Sequence, residues 1–546
     1  MPISVKVSTG GSYSFDPPVT GQDILNKVGA GLDRNIVAWH VNHYLRPLDW
    51  FLHDDALVDF VDTASFEGMS VYRGALTFVL SLACRGALGE GISVRHSISD
   101  GYYCELQSGP ISPEQTRIVK EAVEFIIGRD LPIKREVLAL DVARRIFEDQ
   151  NESDTANLLK YAGMDPVILN ECDGIYGFFH GPLAPSTGYL SSWDLVPFRE
   201  GMVLRFPTVA FPRDLPPFEP AEKLAGVFRE YGEWLQILGV KTMESLHCQI
   251  TAGKGKELVL VSEALHSQKL DRMSERIVSG GKIRLVCISG PSGSGKTTSA
   301  ARLSIHLRAL GFRPVAISLD DYFVDRKKTP RDKEGNYDFE SIDALDLDLV
   351  NEHLVTLLEG GSVAVPRFNF ITGSRGPGHE VHLEKGDILI IEGIHGLNDR
   401  LTGSVPDPLK FRIYISPLTG ISLDRHNRTS TTDNRLLRRL VRDHRLRGKS
   451  AETTLAQWPS VIRGAQKYIF PYQEQADEMF NSALVHELSV LKGYAEPLLK
   501  TVSEESPEFG EAQRLLNISR YIPYIPADFV PDNSILREFI GGGCFE

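Results

Sequence analysis

The spacing of apolar and polar positions divides the 546-residue chain into segments of different period. Residues 3–8 and 36–41 alternate apolar and polar side chains as strands do, whereas residues 21–28 repeat apolar positions at helical spacing. Gly10 and Gly11 mark a turn after the first strand. Residues 1–62 are therefore predicted to form a small β-grasp-like domain.

Longer periodic stretches follow in residues 63–225. Helical spacing recurs over 70–83, 112–127 and 137–149, and a Gly- and Pro-rich stretch covers 177–188. Apolar runs between these stretches have the length of strands. The pattern predicts a second domain of α+β type.

The C-terminal half alternates buried-strand patterns with helical ones, which is typical of a parallel sheet flanked by helices. A helix-prone linker over residues 226–281 precedes it and ends at Gly280 and Gly281. The α/β segment covers 282–500, and a Pro-rich tail, 501–546, is expected to pack on it. The fold class predicted for the whole chain is therefore multidomain α/β.

Charge and composition exclude several functions. A formal net charge of −13 argues against a general nucleic-acid coat or a binder of anionic membranes, since both need a summed positive field. Six cysteines lie far apart without a CxxC pair, which favours reduced thiols in a cytoplasmic protein. The N-terminus lacks the layout of a signal peptide, and the uncharged run at 74–84 is too short for a bilayer, so no membrane partner is expected.

The most specific motif is a glycine-rich loop between an apolar strand at 283–289 and a helical pattern that runs to Leu310. Backbone N–H groups of such a loop close around phosphate oxygens, its lysine reaches the β- and γ-phosphates, and its threonine binds Mg²⁺. The residues expected to bind ATP here are Gly290, Ser292, Gly293, Ser294, Gly295, Lys296, Thr297 and Thr298. A structural turn is the alternative.

Two carboxylates end later strands of the same segment. Asp320 follows the apolar run 315–318, where it could accept a proton from an acceptor hydroxyl and help to order Mg²⁺. Glu392 ends the buried-strand pattern 386–393, the layout of a second metal-organising acid. Both positions are also compatible with ordinary turns, in which Asp320 or Asp321 caps the backbone.

A basic helix is predicted farther on. Arginines at 435, 438, 439 and 442 share one helix face, and Arg445, Arg447 and Lys449 continue the charge. Arginines that close over a transferring phosphoryl group stabilise its charge and exclude water, which would make this helix a lid. A solvated helix face is the alternative, although solvated faces usually mix charge signs.

With these motifs in order, residues 282–490 resemble the uridine–cytidine kinase family, within the phosphoribulokinase/uridine kinase group of P-loop kinases. The resemblance implies transfer of the γ-phosphoryl of ATP to the 5′-hydroxyl of a nucleoside, a salvage reaction that uses Mg²⁺. It implies Asp320 as catalytic base, Lys296 and Arg442 as further catalytic residues, and Thr297, Glu392 and Asp320 at the metal.

The resemblance also implies contacts for both substrates. Arg442 and Arg447 would touch phosphates, and Asp338 would bind the ribose hydroxyls. The expected acceptor-binding set is Tyr337, Asp338, Phe368, Arg439, Lys449 and Gln457. Where the family carries a tyrosine and a histidine that contact the pyrimidine, this chain has Phe368 and Gly373. Losing those donors relaxes selection, so uridine or cytidine is an expectation that follows from the family.

The N-terminal half resembles a different family. Residues 1–60 look like a TGS domain, and 65–225 are similar to the second, editing-type domain of threonyl-tRNA synthetase, on stretches at 100–103, 130–136 and 181–188. The family's metal- and proton-handling positions fall on Tyr72, Leu76, Phe179 and Leu183, and neither phenylalanine nor leucine can relay a proton or ligate a metal. Hydrolytic editing is therefore not expected, and a binding or regulatory role is inferred.

Alternatives to a nucleoside kinase stay open. One is a kinase of the same group acting on another metabolite alcohol, and the other is a regulator whose residues 1–225 sense RNA or a small ligand while the nucleotide site acts as a switch. The choice between ATP and GTP and the formation of a homo-oligomer also stay open. Three histidines, His96, His180 and His395, are interpreted as structural or surface residues before any catalytic role, with His395 the least certain because it follows Glu392.

Overall fold

The N-terminal strands and one helix form a small mixed-sheet unit. The computed structural model describes residues 2–8, 10–29, 33–161, 163–209, 211–332, 335–370 and 372–545. Its first elements are β1 (Ile3–Val7), β2 (Ser12–Phe15), β3 (Val19–Thr20), α1 (Gly21–Val28), β4 (Ile36–Val41), β5 (Tyr44–Arg46), β6 (Phe51–Leu52) and β7 (Ala56–Asp62). Five strands form a sheet in the order β2-β1-β7-β4-β5, and alternate side chains of β1 are buried, as its sequence pattern predicts.

The second group of elements builds two antiparallel sheets around a long helix. These elements are α2 (Phe66–Leu88), β8 (Ile92–Ile98), β9 (Gly101–Leu106), α3 (Pro113–Gly128), β10 (Lys134–Leu138), α4 (Leu140–Asp149), α5 (Ser153–Leu158), β11 (Val167–Cys172), β12 (Ile175–Gly177), β13 (Asp194–Phe198) and β14 (Gly201–Arg205). The sheets have the orders β13-β14-β9-β8 and β10-β11-β12. The helix expected over 137–149 begins only at Leu140, because residues 134–138 pair with β11 as a strand.

Helix α2 lies at the centre of this group. The Ser65 side chain caps it by accepting the N–H of Gly68. In the described part of the chain, α2 is the one helix long and apolar enough to cross a membrane, and 67% of its most apolar stretch is buried inside the fold. Its side chains Leu76, Phe78 and Cys84 share a core with β8, β9 and β14. Packing inside the fold therefore accounts for its apolar sequence.

Three helices connect this group to the C-terminal half: α6 (Glu222–Ile237), α7 (Met243–Thr251) and α8 (Gly255–Val278). Apolar side chains of these helices pack into the core of the C-terminal half. Leu235, Leu258 and Met273 belong to a core that also contains Val286 and Ile288 of the next strand. The segment expected to be a linker is therefore packed against the sheet that follows it.

The C-terminal half is built on a parallel sheet. Its elements are β15 (Leu285–Ser289), α9 (Lys296–Ala309), β16 (Pro314–Ser318), α10 (Leu347–Leu358), β17 (Ser362–Asn369), β18 (Ser374–His382), β19 (Ile388–Glu392), α11 (Asp399–Thr402), β20 (Lys410–Ser416), α12 (Thr431–Arg447), α13 (Ala451–Tyr468), β21 (Glu478–Asn481) and α14 (Glu487–Leu499). The order is β16-β19-β15-β20-β21, with every neighbouring pair parallel. Every residue of β15 and β19 is buried. The predicted fold class, multidomain α/β with a parallel sheet flanked by helices, is confirmed.

The tail closes the fold with two more helices, α15 (Phe509–Ser519) and α16 (Arg537–Ile540). Ile535, Leu536 and Phe539 have no exposed surface and join the same core as α8 and β15. Residues 535–539 therefore pack into the core that includes the first strand of the parallel sheet.

Candidate active site

The carboxyl ends of three adjacent parallel strands bring the predicted phosphate and carboxylate residues together. Glu392 at the end of β19 is in register with Ile288 of β15 and with Ser318 of β16. The glycine-rich loop leaves β15 one residue later, and Asp320 lies on the 3₁₀ turn Leu319–Tyr322 that follows β16. Ligands of open parallel sheets bind at this edge.

The glycine-rich loop has a backbone that side chains would block. A Cβ on Gly290 would lie 2.0 Å from the carbonyl oxygen of Ile415, and Gly295 has a φ of +82° at the start of α9. Lys296 follows, and its Nζ donates to the carbonyl oxygen of Pro291 at 3.4 Å. Burial lowers the pKa of Lys296, while the charges of Glu392 and Asp320 act in the opposite direction.

Glu392 is the centre of the hydrogen bonds at this edge. Its Oε1 accepts from the Ser318 hydroxyl at 2.7 Å and from the Thr297 hydroxyl at 3.3 Å. Burial raises the pKa of Glu392, and the negative charge of Asp320 raises it further, against the opposing effect of Lys296. A buried carboxyl that a second carboxylate faces is costly unless a cation balances the pair.

These oxygens fit magnesium. The Thr297 hydroxyl and the carboxylates of Glu392 and Asp320 are hard oxygen donors, and a divalent cation would offset the negative charge that raises the pKa of Glu392. Within the described ranges, no group of three or more His, Cys, Asp or Glu side chains could hold a metal by itself. Magnesium in phosphoryl-transfer sites is usually completed by phosphates and water, so a partial protein set is sufficient.

Helix α12 carries the predicted arginine face, and this face meets the glycine-rich loop. Arg435 Nε donates to the carbonyl oxygen of Ser292 at 3.0 Å, and Arg439 Nη1 donates to its hydroxyl at 2.9 Å. Arg438, fully buried, donates to the carbonyl oxygen of Gly293 at 3.3 Å. These three arginines therefore do not form a solvated face. Arg439, expected on the acceptor side, contacts the loop.

A buried acid, Asp443, organises the other cations of α12. Its carboxylate lies 3.1 Å from Arg442, 3.3 Å from Arg447, 3.4 Å from Arg439 and 3.9 Å from Lys449. Burial alone would raise the pKa of Asp443, but these cations, Arg442 foremost, lower it. A sequence signal could have identified Asp443. It is a single acid inside an arginine-rich run, four residues from an arginine on each side.

Phe368, one of the expected acceptor residues, lies in a cluster of aromatic rings. Phe368 is buried against Phe323 and Phe370, and its backbone N–H donates to Asp321 Oδ1 at 3.1 Å. The Arg447 guanidinium lies 5.2 Å from the centre of the Phe370 ring. This contact connects α12 to the ring cluster.

Polar members of the predicted acceptor set have partners within the fold. Asp338 Oδ2 accepts from the Tyr468 hydroxyl at 3.1 Å, and Lys449 Nζ donates to Gln457 Oε1 at 2.8 Å. The guanidinium of Arg331 lies 4.4 Å from the centre of the Tyr337 ring. The structure therefore brings Asp338, Lys449 and Gln457 into hydrogen-bonded pairs and places Tyr337 beside a different cation.

Glu340 was not predicted and lies close to the same site. Burial raises the pKa of its carboxyl, while the charges of Arg439 and Arg435 act to lower it. Its Oε2 is buried without a hydrogen-bond partner among the residues that the structure describes. Sequence reasoning passed over it because a lone glutamate in a loop gives no local signal.

The three histidines are neutral packing residues. Burial lowers the pKa of His395 and of His180 to about 4, and lowers that of His96 well below its ordinary value. The His96 ring stacks between Tyr103 and Phe228, at centroid distances of 5.0 and 3.9 Å. Their burial agrees with the structural interpretation.

The four N-terminal positions expected to lack catalytic groups form a filled cleft, named here the N-terminal cleft: Tyr72, Leu76, Phe179 and Leu183. Leu76 and Leu183 are buried, and the Tyr72 hydroxyl donates to the carbonyl oxygen of Ser192 at 2.7 Å. Phe179 packs on Phe78 at 5.4 Å. The cleft has apolar side chains where a hydrolytic site would need polar ones.

A loop of the C-terminal half, residues 421–428, closes this cleft. His426 Nε2 is 3.1 Å from the Ser81 hydroxyl, and its ring stacks near Phe179 at 6.2 Å. The backbone carbonyl of Arg425 accepts from Val94 N–H at 2.8 Å, which extends the contact along β8. The same loop leads directly into α12, so the N-terminal cleft and this helix are joined by a few residues.

The site has the arrangement of a P-loop kinase. A glycine-rich loop connects a parallel strand to a helix, and a lysine, two carboxylates and an arginine-rich helix lie around the loop. Comparison with known proteins narrows this class. Residues 285–489 match the model of the Phosphoribulokinase / Uridine kinase family. A uridine kinase of Staphylococcus aureus (strain JH9) is 31% identical over 196 residues, 35% of this chain and 84% of that protein. The chain belongs to the phosphoribulokinase/uridine kinase family.

Two further relatives show how the similarity is distributed. A uridine kinase of Saccharomyces cerevisiae is 28% identical over 201 residues, 36% of this chain and 36% of that protein. A threonine–tRNA ligase of Acidithiobacillus ferrooxidans is 26% identical over 194 residues, 35% of this chain and 30% of that protein. The N-terminal part is thus similar to threonine–tRNA ligases. The chain spans only about a third of the length of these two relatives.

Proposed function

We propose that the chain is an ATP-dependent nucleoside kinase that transfers the γ-phosphoryl group of ATP to the 5′-hydroxyl of a nucleoside, with uridine or cytidine as the expected acceptor. The observation that carries the proposal is the convergence of Lys296, Thr297, Asp320 and Glu392 at one edge of the parallel sheet, beneath the arginines of α12. A turn or a solvated helix face would not require a buried carboxyl, Glu392, beside the half-buried Lys296 and Asp320.

In the proposed reaction, Asp320 accepts the proton of the acceptor hydroxyl as its oxygen attacks the γ-phosphorus. The bond from the γ-phosphorus to the bridging oxygen breaks, and ADP leaves with the electron pair. Lys296, Arg442 and Arg447 stabilise the charge on the transferring group, and Asp443 orients the two arginines. Magnesium, held by Thr297, Glu392 and Asp320 when bound, would supply further neutralisation of phosphate charge.

The acceptor is proposed to lie between Asp338, Phe368 and the 447–457 region. Asp338 would bind ribose hydroxyls, and Lys449 and Gln457 would face the base. Phe368 offers an apolar ring without a hydroxyl, so a pyrimidine would lose one hydrogen bond of the kind that discriminates strongly between substrates. A different small metabolite alcohol is therefore the second candidate acceptor.

The N-terminal half, with a TGS-like domain at 1–62 and an editing-like domain at 63–225, is proposed to be a non-hydrolytic partner of the kinase region. Support comes from the apolar N-terminal cleft and from the 421–428 loop that fills it. The remaining proposed boundaries are a helical segment at 226–281, the kinase at 282–500 and the tail at 501–546.

An acceptor screen tests the proposal. The purified chain with Mg·ATP would be given each common ribo- and deoxynucleoside, then a set of non-nucleoside alcohols, and products would be identified by mass spectrometry. We expect a nucleoside monophosphate from at least one pyrimidine nucleoside. Product from a non-nucleoside alcohol alone would select the second candidate, and no product from either set would refute the kinase assignment.

A further inference from the structure

The end of the chain lies on the phosphate-binding loop. Residues 534–541, named here the C-terminal segment, include α16 and pack between α9 and α12. A Cβ on Gly295 would lie 2.6 Å from Cγ2 of Ile535. Glu538, one turn later, has its carboxylate farther off but still in van der Waals contact, at 4.0 Å from the same Cβ position. An isoleucine and a carboxylate therefore face the loop that is expected to hold a triphosphate.

The carboxylate of Glu538 makes two hydrogen bonds with the first turn of α9. Its Oε2 accepts from the Thr298 hydroxyl at 2.8 Å and from the Thr298 backbone N–H at 3.3 Å. In P-loops, the backbone N–H groups of the loop and of the following helical turn are the donors that bind nucleotide phosphates. A carboxylate oxygen of this chain thus takes a donor that a phosphate oxygen would use.

The charge around this contact also opposes an incoming triphosphate. Glu538, Glu392 and Asp320 all act on Lys296, the one lysine of the loop. A nucleotide would bring several further negative charges to the same place, and like charges at short range in a partly dry site repel strongly. Binding is therefore easier once the Glu538 carboxylate has left.

We propose that the C-terminal segment is a built-in competitor of the phosphate donor, with Glu538 in the place of a nucleotide phosphate, and that the turn around Glu538 must move off Thr298 before nucleotide binds fully. The inference rests on the proposed function, since it takes a nucleoside triphosphate as the ligand of the loop. It adds an autoinhibited state in which the chain closes its own donor site.

Two arginines of α12 contact the segment. Arg445 donates to the carbonyl oxygens of Glu538 and Phe539, at 3.0 and 3.3 Å. The Arg438 guanidinium lies 4.9 Å from the centre of the Phe539 ring, while also donating to Gly293 of the loop. Withdrawal of the segment is therefore coupled to a movement of α12, which carries the arginines proposed to close over phosphate.

A charge-neutral variant tests the competition directly. Glu538→Gln keeps the side-chain shape and one acceptor oxygen but removes the negative charge. Binding of Mg·ATP, and of Mg·GTP for comparison, would be measured by titration calorimetry on the full chain without any acceptor. We expect the dissociation constant of E538Q for Mg·ATP to be about tenfold lower than that of the wild type. This is the change expected if only about a tenth of wild-type molecules can bind nucleotide and the substitution makes nearly all of them able to bind. Asp528→Asn, an exposed acid on the same tail, is the matched control and should bind as wild type does.

Equal or weaker binding by E538Q would overturn the proposal, because Glu538 would then only cap α9. A second measurement on the wild-type chain covers the case in which the variant folds poorly. Amides at 539–541 are hydrogen-bonded inside the segment and should exchange slowly with deuterium. Saturating Mg·ATP should speed their exchange at least tenfold if the segment withdraws, by the same population argument. Unchanged protection with nucleotide bound would contradict the competition.

Failure of the kinase proposal would look different. If E538Q binds nucleotide more tightly but neither protein phosphorylates any acceptor, the donor-site inference stands and the reaction does not. If wild type turns over and E538Q binds no better, the reaction stands and the inference does not. The binding and turnover experiments therefore separate the two.

Discussion

The kinase site and the N-terminal cleft differ in the kind of side chain at the positions examined for function: charged groups in the first and mainly apolar groups in the second. In the kinase site, Glu392 is buried and Lys296 is half-buried, and burial shifts the pKa values of both, an arrangement that costs stability. In the N-terminal cleft, Leu76, Phe179 and Leu183 bury apolar surface with no comparable penalty. Buried charge that packing alone does not require marks the first region as the one that carries chemistry.

The N-terminal region is similar to threonine–tRNA ligases, and its cleft is an internal contact of this chain. Apolar side chains line it, and a loop from the other half places His426 against Ser81 and Phe179. The comparison predicts large functional effects in the kinase site and mainly structural effects in the cleft.

The largest expected effect is at Asp320. Asp320→Asn should lower turnover by about two orders of magnitude or more, as for the loss of a general base. Mg·ATP binding, measured by calorimetry, should be nearly unchanged because the loop and Lys296 remain. A variant that keeps more than a tenth of wild-type turnover would remove Asp320 from the role of base and weaken the contrast between the two regions.

A smaller effect is expected at the acid that holds the lid cations. Asp443→Asn removes the common partner of Arg442 and Arg447, so the arginines should be misplaced and turnover should fall about tenfold or more. Steady-state kinetics would show the loss in kcat. Asp433→Asn is the matched control, because Asp433 lies on the same helix but pairs with Arg514. Equal losses of kcat in both variants would point to helix charge alone.

The N-terminal cleft is expected to respond in stability. His426→Ala removes the contact with Ser81 and the stacking on Phe179, which should destabilise the fold by about 1–2 kcal/mol. Denaturant unfolding of His426→Ala, Ser81→Ala, the double variant and the wild type would give the interaction energy between the two side chains. Nucleotide affinity should stay within about twofold, since removing a single distant contact leaves the loop intact. A tenfold change in affinity would instead reveal communication between cleft and lid.

The smallest expected effect is a pH dependence at the start of α2. His40 Nε2 is 3.0 Å from Glu67; burial acts to lower the pKa of His40, but the hydrogen bond and charge of Glu67 outweigh it and the pKa is raised. Stability from this pair is complete below the unfolded value of about 6.5 and is lost as pH rises through the folded value. Both side chains are partly exposed, so a difference below about 1 kcal/mol is expected.

Thermal midpoints of wild type and Glu67→Gln measure that effect. The thermal midpoint of the wild type should be higher than that of the variant at pH 6, and the difference between the two midpoints should be smaller at pH 8.5. A gap that is constant across this range would show that His40 does not change charge there. A gap that widens would contradict the direction of the pKa shift.

Local patterns were sufficient for much of the fold. The strand before the loop, the helix after it and the acids at the ends of β16 and β19 follow from residues that lie within a few positions of one another. The start of α4 was misplaced because the apolar spacing of 137–149 suits a helix, while Val137 pairs with Ile168 on a distant strand. Pairing between strands far apart in sequence overrides local spacing.

Parts of the site could not be found from local patterns. Glu538 reaches Thr298 across 240 positions, and His426 reaches Ser81 across 345. Such contacts depend on how whole segments pack, and nothing in the neighbouring residues of Glu538 indicates a phosphate-binding loop. Asp443 is the intermediate case, since its spacing from the arginines is local but its burial is not.

The core shared by α8, β15 and α16 limits how the chain can be divided. Met273 lies before the kinase region and Phe539 lies after it, yet both are almost completely buried in one cluster with Ile288. A fragment that contains only residues 282–500 would expose the apolar surface that these segments cover. Exposing apolar surface to water costs about 25 cal/mol of free energy for each Å². The limits of the family match, residues 285–489, therefore fall inside one packed core, and a stable kinase fragment is expected to need residues on both sides of them.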